Sequence, residues 1–161
     1  MNGTLWSSLA GFGIALILCA TAAGSGIAIA VPLLLLAAAH LAWAVATLRL
    51  GRIAMPRFVC ALAASEVLLA GGMLITGVIG FVPFLALAGL SWSVSAVAAI
   101  ALRSARREPA ALPVSRARRP GVFVLVLIAE ALVVSAVTTP ALALSTPGEF
   151  ALPHGESHQG H

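Results

Sequence analysis

Apolar residues follow one another along this chain in five blocks, 5–23, 27–48, 57–79, 82–102 and 121–144, each long enough or nearly so to cross a bilayer. The block from Ile27 to Leu48 contains no Asp, Glu, Lys or Arg. A crossing takes about 20 mainly apolar residues in helical form. The pattern predicts an all-α fold, a polytopic membrane bundle of five transmembrane helices.

The breaks between blocks are short and rich in helix-stopping residues. Gly24-Ser25-Gly26 separates the first two, and Gly80 with Pro83 separates the third from the fourth, so each pair is expected to form an antiparallel hairpin. The stretch 103–120 carries Arg, Pro109 and Pro113 without apolar periodicity and is expected to be a flexible basic linker. Beyond Leu144, Pro147, Gly148, Pro153, Gly155 and Gly160 predict an extended tail over 145–161. The bundle, residues 1–144, leaves no room for a soluble catalytic domain. Ala20-Thr21-Ala22 has the small-x-small form of a signal cleavage site, but no Lys or Arg precedes the first block, so that helix is expected to be retained.

The blocks resemble one another. A slide of 51 residues lays Val31-Pro32 on Val82-Pro83, Leu34 on Leu85, Ala37 on Ala88 and Arg52 on Arg103, as if the two hairpins were duplicates. A slide of 64 lays Pro56 on Pro120, Glu66 on Glu130 and Leu68 on Leu132.

Hydrophobic residues are 61% of the chain and charged residues 9%, and every basic residue is arginine. The arginines form two clusters, Arg49, Arg52 and Arg57, then Arg103, Arg106, Arg107, Arg116, Arg118 and Arg119. Basic residues in short loops stay on the cytoplasmic side, which predicts an N-in/C-out topology. The expected partners are the bilayer and anionic inner-leaflet lipid, not nucleic acid. Arginine without Lys, Tyr or Asp, together with abundant Ala, points to a GC-rich bacterium and its plasma membrane.

Three ionisable residues break the apolar blocks. Glu66 and Glu130 each lie nine residues beyond the inner end of their helix, and His40 lies nine above Arg49. At 1.5 Å per residue that is roughly 14 Å, near the midplane of a hydrocarbon core of ~30 Å. Ionisable groups at that depth are costly, face the bundle interior, and mark ligand, ion or proton sites. Hydroxyls at Ser65, Ser91, Ser93, Ser95 and Ser135 are available to complete a polar interior. The other reading of the same residues is purely structural, since a protonated Glu hydrogen-bonds across helices and fixes packing.

A second group lies in the tail, where His154, His158 and His161 follow Glu149 and flank Glu156. Neutral imidazoles suit Cu, Zn and Ni, and glycines between them let the chain wrap an ion. An inert, His-biased terminus is the competing reading. Trp6 and Trp43 are expected to anchor at the interface and Trp92 to pack. Gly11, Gly13, Gly71 and Gly72 are expected to allow close helix approach, and Met73 to fill core space. Cys19 and Cys60, at opposite depths, are expected to remain unlinked. Neither a nucleophile–base pair nor a phosphate-binding glycine loop is present, which argues against an enzyme.

The last block, from Arg118-Arg119 through Glu130 to Thr138-Thr139-Pro140, resembles the closing helix of copper-resistance D membrane proteins. Arg57-Phe58 with Thr76-Gly77 is similar to an earlier helix of that family. The resemblance covers under half of the chain and implies handling of copper on the outer side of the membrane. The expected function is accordingly a small non-enzymatic membrane protein with an outward metal-binding tail, or an accessory subunit with a membrane-protein partner or a second copy. The alternatives are a proton- or cation-coupled carrier using His40, Glu66 and Glu130, and a scaffold without chemistry.

Overall fold

The computed structural model describes residues 3–107 and 120–145. Among them the chain forms five helices, α1 (Gly3–Ala23), α2 (Ile27–Leu50), α3 (Pro56–Ile75), α4 (Phe81–Arg107) and α5 (Pro120–Ala143), and no strand. All five are long and apolar enough to cross a membrane. The distribution of side chains identifies the solvent. Leu35, Leu68, Ile75, Ile100, Leu125 and Leu132 point outward, while Ser7, Ser8, His40, Glu66, Ser91 and Glu130 are buried. Water would reverse that arrangement, whereas hydrocarbon rewards it.

α1 is the central helix. It packs against α2, α4 and α5, and α4 in turn packs against α3 and α5. Two glycines on α1 explain how it serves several neighbours. A methyl group at Gly13 would lie 2.8 Å from Thr138 Cγ2 and 3.0 Å from Val134 Cγ1 of α5, and one at Gly11 would lie 3.2 Å from Ala44 Cβ of α2. Close backbone approach of this kind replaces the hydrophobic effect as the source of cohesion in lipid. Gly71 and Gly72 do not do this, because nothing lies within 4 Å of a methyl group at either position.

The α2–α3 turn is tied to α2 by side chains. Trp43 Nε1 donates to the Ala54 carbonyl at 2.6 Å, and Ala54 N–H donates to Thr47 Oγ1 at 3.3 Å. These bonds hold a turn in which Met55, ahead of Pro56, adopts a positive φ of 40°. Trp43 is therefore a buried clamp and not the interfacial anchor its position predicts. Trp92 differs in the opposite sense: it is 78% exposed, on the outer surface of the bundle and not packed inside it. Trp6 Nε1 donates to Ser93 Oγ and links α1 to α4.

Helix ends depart from the expected bounds by more than two residues at the C-termini of α3 and α4. α3 stops at Ile75, four residues before the end predicted at Ile79. Gly77 takes a φ of 73°, Val78 N–H donates to the Met73 carbonyl and Gly77 N–H to that of Leu74. That is a Schellman termination, which glycine makes inexpensive although the apolar run continues past it. α4 continues through Arg107, so the first residues of the expected basic linker are helical. The rest of that linker, and the tail 146–161, lie outside the described residues.

Candidate functional site

Glu66 is the eleventh residue of α3, His40 the fourteenth of α2 and Ser91 the eleventh of α4, so all three sit near the middle of long helices. Each is essentially inaccessible, with 1% of Glu66 and none of His40 exposed. Their side chains meet. His40 Nε2 lies 3.2 Å from Glu66 Oε2, and Ser91 Oγ donates to the same oxygen at 3.1 Å. On its other side His40 Nδ1 lies 3.1 Å from the Leu36 carbonyl, one turn back along α2.

These contacts constrain the proton. A backbone carbonyl only accepts, so Nδ1 carries a hydrogen and Nε2 is left to face Glu66. Nε2 and Oε2 thus set a base beside an acid at 3.2 Å. The contact is close but poorly aligned, since Nε2 makes no well-directed hydrogen bond. Glu66 Oε1 is also buried without a protein partner. Glu66 also lines a small void of about 10 Å³, together with Leu18 and Thr21 of α1, Leu33 of α2, Leu69, Ala70 and Met73 of α3, Ile79 and Leu87.

Burying this pair is expensive in an apolar medium unless geometry and hydrogen bonding compensate. The chain invests it where the two hairpins meet. α2 and α3 have few close backbone contacts; the His40–Glu66 contact links them at mid-helix, and the bonds of Trp43 and Thr47 to Ala54 hold the turn between them. Under the 51-residue slide His40 and Ser91 are equivalent positions of the two hairpins, and here they grip one carboxyl oxygen from two sides. That correspondence is the signal by which Ser91 could have been separated from the other serines. Of these, Ser65 and Ser135 are exposed, Ser93 accepts from Trp6, and Ser95 is half-buried.

Glu130 is buried at the matching depth, eleventh residue of a helix that, like α3, begins at a proline. Its helix packs against α1 and α4 and not against α2 or α3. The structure therefore brings His40 and Glu66 together and places Glu130 on a different flank of the bundle. Cys19 and Cys60 are free thiols, Cys60 within reach of the Ser95 carbonyl. Met73 is buried in the core. No group of three or more His, Cys, Asp or Glu able to hold a metal ion occurs among the described residues. His154, His158, His161, Glu149, Glu156 and Glu108 lie outside them.

No family model matches the chain, and comparison with curated proteins and with solved structures likewise gives no match.

Proposed function

We propose that this chain is a non-enzymatic, multi-pass protein of a bacterial plasma membrane, N-terminus inside and C-terminus outside, in which His40 and Glu66 together bind and release a proton in ion coupling. The observation that carries this reading is the contact of 3.2 Å between two fully buried ionisable groups at mid-helix. Hydroxyls or amides suffice to pin helices together, whereas an acid beside a base adds a mobile proton. The orientation is supported by Arg49, Arg52, Arg57 and Arg103, all exposed at one end of the bundle, while the described residues of the opposite end carry no charge. Glu66→Gln keeps hydrogen bonding and removes ionisation. In proteoliposomes that variant is expected to insert and remain helical yet lose most of the proton flux. Wild-type flux in both Glu66→Gln and Glu130→Gln would return these groups to the role of packing adhesive.

A second reading rests on the tail, where three histidines fall within eight residues. We infer that His154, His158 and His161 bind Cu(II) or Zn(II) on the outer side, in keeping with the resemblance to copper-resistance D proteins. The test is clean because the described residues hold no competing ligand cluster. The full chain should show saturable metal binding by calorimetry, and replacing the three histidines by Ala should abolish it. Absence of saturable binding in the unaltered chain would leave the tail inert.

A further inference from the structure

The void beside Glu66 does not stand alone. At the end of the bundle opposite the arginines, the α3–α4 turn and the last turns of α1 and α5 enclose a cavity of about 210 Å³. Gly77, Gly80 and Pro83 form one wall, and Leu144 and Ser145 another. Thr21 and Ile79 line this vestibule, and both also line the inner void that reaches Glu66. Only these two side chains are common to the chambers.

The inner void has room for a single water, which takes on the order of 10–15 Å³ by the same measure of volume. Glu66 and Thr21 are the polar residues of its otherwise apolar lining, and each has an oxygen with a free lone pair. Glu66 Oε1 is buried and unpartnered, and Thr21 Oγ1 donates to the Ile17 carbonyl at 2.9 Å and so still accepts. A water there donates to both oxygens and satisfies the Glu66 atom that the protein leaves bare. Toward the arginine end Trp43 and Thr47 are buried and committed to Ala54, while a separate apolar groove between α3 and α4 runs from Ser91 past Cys60 and Ser95 to Arg103 and does not include Glu66, Thr21 or Ile79 in its lining.

We propose that the void is a single-water site and the inner station of a proton entry running from the vestibule past Thr21 and Ile79 to Glu66 Oε1. This deepens, and rests on, the reading of His40 and Glu66 as a proton-binding pair. A proton carried on the inner water passes to Glu66 Oε1, and a proton held by the carboxyl on Oε2 moves onto His40 Nε2. Charge and atoms balance, with the pair gaining one proton and the water regenerated. Ile79 is the gate, being the bulky side chain between the chambers, on a turn and not within a helix. His40 is the titratable side chain that faces Glu66. α1 presents Leu18 and Thr21, and α4 presents Leu87 and Ser91.

The test uses the full chain in lipid vesicles and the infrared bands that disappear in Glu66→Gln, followed after transfer to D2O. Thr21→Val, nearly isosteric, removes the accepting oxygen and should slow deuteration of the Glu66 bands about tenfold, whereas Ile79→Ala opens the gate and should accelerate it by a similar factor. Ile79→Val, with one methylene less, serves if Ile79→Ala fails to insert, and should shift the rate in the same direction. Bands that exchange at the wild-type rate in these variants would overturn the path while leaving the proton-binding pair intact. Glu66 bands that respond neither to D2O nor to pH would sink the pair and the path with it.

Discussion

At the scale of the residue, the decisive question about Glu66 is whether His40 holds it by charge or by shape. The two answers differ in magnitude. An interhelical hydrogen bond within a membrane protein contributes on average about 0.6 kcal/mol, whereas removing one partner of a buried ion pair costs about 3–5 kcal/mol. Ser91 offers an internal standard, because it binds the same Oε2 through a neutral hydroxyl. A double-mutant cycle isolates each coupling from the hole left by truncation. For a proton-sharing pair, His40→Ala with Glu66→Gln should give a coupling of about 2–3 kcal/mol, against about 0.6 kcal/mol for Ser91→Ala with Glu66→Gln. Reversible unfolding in mixed micelles measures both. Equal couplings would mean that His40 is one more packing contact, and the argument for proton binding would lose its footing.

At the scale of the element, pairs of glycines that look alike in sequence are separated by their surroundings. Gly13→Ala places a methyl group 2.8 Å from Thr138 Cγ2, so α5 must shift, and overpacking of that kind costs about 1–3 kcal/mol. Gly71→Ala meets open space and removes a flexible residue from a helix, so it should be neutral or stabilise by about 0.5–1 kcal/mol. Thermal unfolding of the two variants checks this, and a destabilised Gly71→Ala would indicate that something covers that face of α3. The five helices themselves were legible because length and apolarity alone decide a crossing. Their ends were less so. Thr76, Gly77, Val78 and Ile79 read as continuing helix, and only the positive φ of Gly77 and its Schellman bonds stop α3 at Ile75. The arginines from 103 read as linker, but Arg and Ala are good helix formers and α4 carries on through them. Trp43 and Trp92 were misjudged for a common reason: position along a helix gives depth, not which face a side chain occupies.

The same limit governs the site at the scale of the whole molecule. Counting from the arginines gave His40, Glu66 and Glu130 one shared depth, and the helix bounds bear out the matched positions of the two glutamates. Which of them meet depends on helix order around the bundle, and α5 sits against α1 and α4, away from α2 and α3. An apolar helix with little preferred face carries no signal for that order. The sidedness of the bundle is, by contrast, written in its charges, because Arg49, Arg52, Arg57 and Arg103 gather at one end and the vestibule opens at the other. An arginine near an anionic leaflet gains about 1 kcal/mol, so the proposed orientation puts that end inside. With an odd number of crossings the termini lie on opposite sides, so a fluorescent protein fused to the C-terminus, which matures only in the cytoplasm, should stay dark. Alkaline phosphatase at the same position should be active. The reverse result would put the vestibule and the histidine tail in the cytoplasm. Protons would then reach Glu66 from inside, and the tail would meet cytoplasmic metal instead of metal arriving from outside the cell.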